Sequence, residues 1–250
     1  MKWCILTACF FPDERPIRML TKSLEIHGIR HMLRTYGMGE QYFNWTQMKV
    51  NRMIPELERL LAEGFTHYLY TDGRDAFFLR PWKSILSAYR GLGSPDMLLS
   101  GTPTCFPLAE LASHWPSPER YRFHDCGGYM GSIEAWLETH RRFVKDRYED
   151  RPCGGDEATV WQWAWVDGWF RPKVDHKCAI FQNFRGAKED VKIWAGDFTR
   201  DPPPLTVANS HTLSRPCILH FSDFDKDAET GVFDVMKPWW DAVYPTHPIE

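Results

Sequence analysis

Long apolar runs are missing from this chain of 250 residues. No segment approaches the roughly 20 apolar residues that a membrane-crossing helix needs. An excess of charge is missing too. Thirty Lys and Arg face 33 Asp and Glu, for a formal net charge of −3, so nothing suggests global attraction to nucleic acid or to an acidic membrane surface, although a local basic groove stays open. Seven cysteines, Cys4, Cys9, Cys105, Cys126, Cys153, Cys178 and Cys217, contain no Cys-x-x-Cys pair and no zinc spacing. Most read as reduced, buried small hydrophobes. Ahead of the first apolar strand, Trp3 to Cys9, there is no charged n-region with a cleavage site. Together these absences predict a cytoplasmic location. Internal repeats and low-complexity tails are absent as well.

The hydrophobic content, 43%, is enough to bury a substantial core, and one α/β domain over residues 1–250 is the simplest reading. Among twelve tryptophans, Trp161, Trp163, Trp165 and Trp169 crowd one segment, where packing is their default role. The pattern predicts a helix over Pro16 to His27, ended by Gly28, then a strand over Ile29 to Tyr36. Val50, Met53, Ile54, Leu57, Leu60 and Leu61 predict a second helix that Pro55 kinks or starts, with Gly64 at its end. Met97 to Ser100 reads as a strand, Ser132 as the cap of a long helix, and Asp156 as the start of another running to Gly168. Short strands follow near Ala179 to Phe181 and over Cys217 to His220, separated by the Pro202–Pro204 break. Alternating strands and helices predict an α/β sandwich with a mostly parallel sheet.

The chemistry-bearing feature is the run Thr66 to Phe78, an apolar strand that stops at two carboxylates, Asp72 and Asp75, with apolar character resuming immediately afterwards. Two carboxylates at the carboxyl end of a strand can hold a hard divalent cation where open α/β sheets bind ligands. They serve equally well as a turn and a cap. His220 ends another apolar strand, with Lys226 six positions later. An imidazole can complete a two-carboxylate metal site, and a lysine can meet a diphosphate as a point charge.

These segments resemble the GT-A fold glycosyltransferases, in particular the glycosyltransferase domain of the procollagen lysyl hydroxylases. The likeness runs through Leu6-Thr7, Gly37-x-Gly-Glu40, Tyr70-Thr-Asp-Gly-Arg-Asp75, Cys105-Phe-Pro107, Asp125-Cys-Gly-Gly-Tyr-Met-Gly131, Asp156-Glu157, Val174 to Asn183, and His220 with Lys226. It implies a Rossmann-like GT-A fold, with a nucleotide half over about residues 1–100 and an acceptor half over about 101–250. It also implies that Asp72, Asp75 and His220 bind Mn²⁺ or Mg²⁺, that Lys226 holds the diphosphate, and that Thr7 and Thr71 line the nucleotide site. Tyr42 is the candidate to stack on the base. Asp125, Gly127 and Gly128 occupy the place of the family's Asn-Ser-Gly-Gly loop near sugar and acceptor, and Phe106 stands where a tryptophan flanks the sugar.

Departures accompany the matches. The family's His-Gly-Asn-Gly reads His220-Phe-Ser-Asp223 here, and its Asp-Asp-Gln reads Gly155-Asp-Glu157, which leaves Asp156 as the residue to orient the acceptor or act as general base, or to cap its helix. The implied activity is metal-dependent transfer of a hexose from a UDP-sugar to a hydroxyl of a protein, a glycan or, in a phage setting, a hydroxymethylated DNA base. Two other readings stay open: a degenerate, non-catalytic nucleotide-binding fold, and a metal-dependent phosphohydrolase using the run Asp223, Asp225, Asp227.

Overall fold

The computed structural model describes residues 1–41, 44–195, 205–222 and 231–249. Tyr42, Lys226, the run Asp223 to Asp227 and the Pro202–Pro204 break lie outside them. In chain order the elements are β1 (Trp3–Ala8), α1 (Arg18–Ile26), β2 (Leu33–Tyr36), α2 (Met53–Ala62), β3 (His67–Thr71), β4 (Ala76–Phe78), α3 (Trp82–Gly91), β5 (Met97–Thr102) and β6 (Phe123–Ser132). There follow α4 (Ile133–Lys145), α5 (Glu157–Val166), β7 (Lys173–Asp175), β8 (Phe181–Asn183), β9 (Val191–Ala195), β10 (Leu205–Asn209), β11 (Ile218–His220) and α6 (Gly231–Val243).

The central sheet has the order β2-β1-β3-β6-β5-β7. β1 is parallel to β2 and β3, and β5 is parallel to β7, whereas β6 runs antiparallel to both neighbours. The mixed, mostly parallel α/β fold expected from the sequence is therefore present. Period-two alternation divides each central strand between two cores. Cys4, Leu6, Tyr68 and Tyr70 face one core with Leu57 and Leu60 of α2, Trp136 of α4 and Trp161 of α5. Trp3, Ile5 and Leu69 face the other with Leu20 and Leu24 of α1 and Ile85 of α3. A smaller sheet, β4-β11-β8, carries a third core in which Phe77, Leu219 and Phe221 meet Met236 and Trp240 of α6.

Several local expectations hold: Ser132 accepts the Ala135 N–H as the cap of α4, and Gly64 ends α2 at φ +79°, where a side chain would be strained. The tryptophan-rich segment packs, with Trp165 stacked on Trp115 at 5.3 Å between centroids and Trp161 buried.

Three expectations are corrected. Arg30–Met32 form a 3₁₀ turn, so the second strand covers only its last four residues. The strand near Ala179 starts at Phe181 because the Asp175 carboxylate accepts the N–H groups of Ala179, Ile180 and Phe181 and holds a turn there. Asp125, Gly127 and Gly128 lie inside β6 instead of on a loop, because Gly128 pairs with Thr71 of β3 even though the register against β5 jumps from Tyr129 to Asp125.

Candidate active site

β3 ends where the Asp72 N–H donates to the Gly127 carbonyl at 2.9 Å. Three residues later the Asp75 carbonyl accepts from the Phe221 N–H at 2.8 Å, and the chain enters β4. The turn from Asp72 to Asp75 thus carries the chain from the larger sheet to the smaller, with one carboxylate at each side. β11 lies beside β4 with His220 opposite Ala76, which puts the imidazole between them. His220 Nε2 is 3.5 Å from Asp72 Oδ2 and 3.5 Å from Asp75 Oδ2, and Nδ1 is 3.2 Å from Asp125 Oδ1. Gly127 allows this approach: a Cβ there would stand 2.0 Å from His220 Cε1, closer than any side chain tolerates. Gly128 is similarly pressed against Phe181.

All four groups are buried. Burial opposes charge on His220, but Asp75 and Asp125 beside it raise its pKa well above the ordinary value. Burial also opposes ionisation of Asp125, yet the imidazole, Arg185 and the Gly127 N–H hold its carboxyl well below the usual range. Asp72, Asp75 and His220 each offer one ligand atom, and these atoms lie within 4.8 Å of one another. His220 Nε2 is buried without a hydrogen-bond partner among the described residues. Two hard oxygens and an imidazole suit Mn²⁺ or Mg²⁺, so the residues present fit the group that the sequence implies.

Sequence reasoning missed a buried cation. Lys49, on a π-helical turn over Gln47–Asn51, places Nζ 2.7 Å from Asp72 Oδ1 and 2.7 Å from Glu157 Oε1. Burial disfavours its charge, but the two carboxylates more than compensate and raise its pKa well above that of a free lysine. The signal was available: Lys49 precedes Met53 and Leu57 at helical spacing, on the face those residues bury.

Two cavities meet at Asp72. The first, about 220 Å³, is bounded by Trp45, Phe106, His124, Asp125, Asp156 and Arg185. Phe106 is at its rim, with the Arg185 guanidinium 3.5 Å from the ring centroid. Asp156 caps α5, its Oδ1 accepting the Ala158 N–H at 2.8 Å. Burial and the neighbouring Glu157 push its carboxyl up to about 6. The second cavity, about 110 Å³, is bounded by Phe10, Phe11, Trp45, Met48 and Arg74. Thr7 and Thr71 line neither cavity; they are buried beneath the turn, where Thr7 Oγ1 donates to the Thr71 carbonyl at 2.7 Å.

The family model of the PLOD GT domain matches residues 15–228. Among curated proteins, the human multifunctional procollagen lysine hydroxylase and glycosyltransferase LH3 is 24% identical over 231 residues, covering 88% of this chain and 29% of that protein. The Drosophila melanogaster procollagen-lysine,2-oxoglutarate 5-dioxygenase is 23% identical over 89% of this chain and 30% of its own length. The chain therefore spans under a third of these relatives. Among solved structures, a glycosyltransferase involved in glycosylation of the major capsid of PBCV-1 superposes with a TM-score of 0.52 at 12% identity, covering 88% of this chain and 93% of that one, which shows a shared fold.

Proposed function

The chain belongs to the PLOD GT domain family and is by family a glycosyltransferase; from that premise we propose that it moves a hexose from a UDP-sugar to a hydroxyl acceptor, using a divalent cation held by Asp72, Asp75 and His220. The observation that carries this reading is the convergence of those three side chains between one cavity walled by aromatics and another walled by carboxylates. When bound, the cation supplies charge to offset the negative charge that develops on the leaving diphosphate.

The chain's own residues account for the remaining steps. Phe10, Phe11 and Trp45 offer apolar faces to a base in the smaller cavity, all from the expected nucleotide half. Asp125, fixed by the Gly127 N–H at 2.9 Å, faces the larger cavity as an acceptor for sugar hydroxyls. Asp156 accepts the proton of the attacking hydroxyl at one oxygen while the other keeps the helix cap. The larger cavity is bounded by Asp72, Asp125, Asp156 and Glu157 against Lys49 and Arg185. That excess of carboxylates favours a neutral hydroxyl acceptor over a phosphodiester, so a DNA acceptor gains no support. The basic run His140 to Arg147 adds none: His140 is buried, and Arg141 and Arg142 pair with Glu58 and Asp146.

Isothermal calorimetry with UDP, GDP, CDP, ADP and dTDP, each with and without Mn²⁺, tests this reading. Mn²⁺-dependent binding of UDP, lost in Asp75→Ala, is the expected result. Binding of no nucleotide under either condition would overturn it in favour of a non-catalytic fold.

A further inference from the structure

Lys49 is the buried cation that touches both ends of this site. Its π-helical turn, wider than an α-helical one, is a feature that recurs at functional sites. Here it projects a lysine inward, where Nζ lies between Asp72 Oδ1 and Glu157 Oε1 at 2.7 Å each. Tyr70 Oη donates to the same Asp72 Oδ1 at 3.0 Å. Asp72 Oδ1 is thus held on the Lys49 side, while Oδ2 faces His220. Glu157 is the first residue of α5, directly after Asp156, and its Oε1 also accepts from Cys126 Sγ at 3.2 Å. Thr46, which immediately precedes this turn, ties it to the approach of α5. Thr46 Oγ1 donates to the Gly154 carbonyl at 2.5 Å, and the Thr46 N–H donates to the Gly155 carbonyl at 3.1 Å.

We propose that Lys49 is a positioning residue that holds Asp72 to a single inward-facing oxygen and, through Glu157, ties that carboxylate to the helix carrying Asp156. This rests on reading Asp72 as a cation ligand, as above. The same placement makes Lys49 a competitor: its ammonium occupies part of the negative charge that an incoming divalent ion would use. Glu157 draws the ammonium away from Asp72 and moderates that competition. Loading of the cation on one side and placement of the acceptor on the other are therefore coupled through one ammonium group.

Opposite signs exclude a merely structural lesion, which weakens binding from either side, and non-additivity in the double variant identifies the coupling. The experiment titrates the full chain with Mn²⁺ alone by calorimetry, for the parent, Lys49→Met, Glu157→Gln, the double variant and Asp75→Ala. Lys49→Met should tighten Mn²⁺ binding about three- to tenfold by removing the competing charge, and lower kcat with little change in acceptor KM. Glu157→Gln, which keeps the hydrogen-bond acceptor but not the charge, should weaken Mn²⁺ binding by a similar factor. The double variant should match Lys49→Met, because Glu157 acts on the cation site only through the ammonium which that substitution removes; a sum of the two single shifts would overturn the coupling. Shifts of the same sign in the two single variants, or no shift in either, would overturn the coupling while leaving the cation site intact. Should Lys49→Met fail to fold with Glu157 unpaired, Glu157→Gln alone decides, and unchanged or tighter binding overturns the proposal. A parent that takes up no Mn²⁺, like Asp75→Ala, would instead bring down the cation reading and this coupling with it.

Discussion

The two ends of the site are built differently. At the end holding Asp72, Asp75 and His220, strand pairing sets the side chains: His220 lies in β11 beside β4, and the short turn carrying Asp72 and Asp75 is pinned on both sides by backbone bonds to Gly127 and Phe221. At the other end Trp45, Phe106, Asp156 and Arg185 come from turns, a rim and a helix start. Ladder hydrogen bonds hold a strand end to a fraction of an ångström, whereas loops vary in length and composition at small energetic cost. A site divided in this way can keep one half of its chemistry while the other half changes partner.

The sharpest way to break the contrast is Asp75→Asn. Transfer should fall about 10²- to 10³-fold with an unchanged circular dichroism spectrum; retained Mn²⁺-dependent turnover would remove the ladder-built end from the chemistry. Next comes a pair of glycines. Gly127→Ala forces a methyl onto His220 and should cost about 3 kcal/mol in urea unfolding. Gly155→Ala, whose nearest neighbour is Asn44 Cβ at 3.7 Å, should stay within about 0.5 kcal/mol. Equal losses would erase the distinction between a tight end and a loose one.

Asp156→Asn sharpens the acceptor side, because asparagine caps a helix as well as aspartate does. kcat should drop about 100-fold, the upper range of single acid–base contributions being larger still, while stability barely moves. The sign with pH follows from the carboxyl being pushed up to about 6 by burial and Glu157, against the opposing pull of Lys49 and Arg185. The basic form dominates above that value, so parental kcat should rise as pH increases through about 6, and the Asn variant should lack that limb. A limb that persists would remove Asp156 as the base. The smallest effect expected is that of Phe106→Ala at the rim, about 1 kcal/mol in acceptor KM, with UDP affinity unchanged. A loss of UDP affinity would show that the two cavities are not separate.

Legibility in the sequence follows the same division. Asp72, Asp75 and His220 were readable because each borders an apolar strand, and strand ends announce themselves by a change between apolar and polar residues. Asp156 was readable as a cap for a similarly local reason. Lys49 was passed over because a lysine in a helical run is normally solvated, and only the third dimension supplies its two carboxylate partners. The place of Gly127 and Gly128 in a strand was hidden because glycine disfavours strands locally; their pairing with β3 and the proximity of His220 and Phe181 are tertiary. β4, three residues long, the β9–β10 ribbon and α6 with its internal Pro238 went unread: the strands are too short to show a period, and proline argues against helix.

Asp72 and Asp125 belong with the six-stranded sheet, Asp75 and His220 with the three-stranded one. Any ion held by the trio is therefore a rivet between two sheets. By mass action, occupancy at a hundredfold excess over its dissociation constant adds about 2.7 kcal/mol to the folded state. The docking of one sheet on the other would then depend on the supply of metal, and the durability of the whole fold would report on the chemistry of its surroundings.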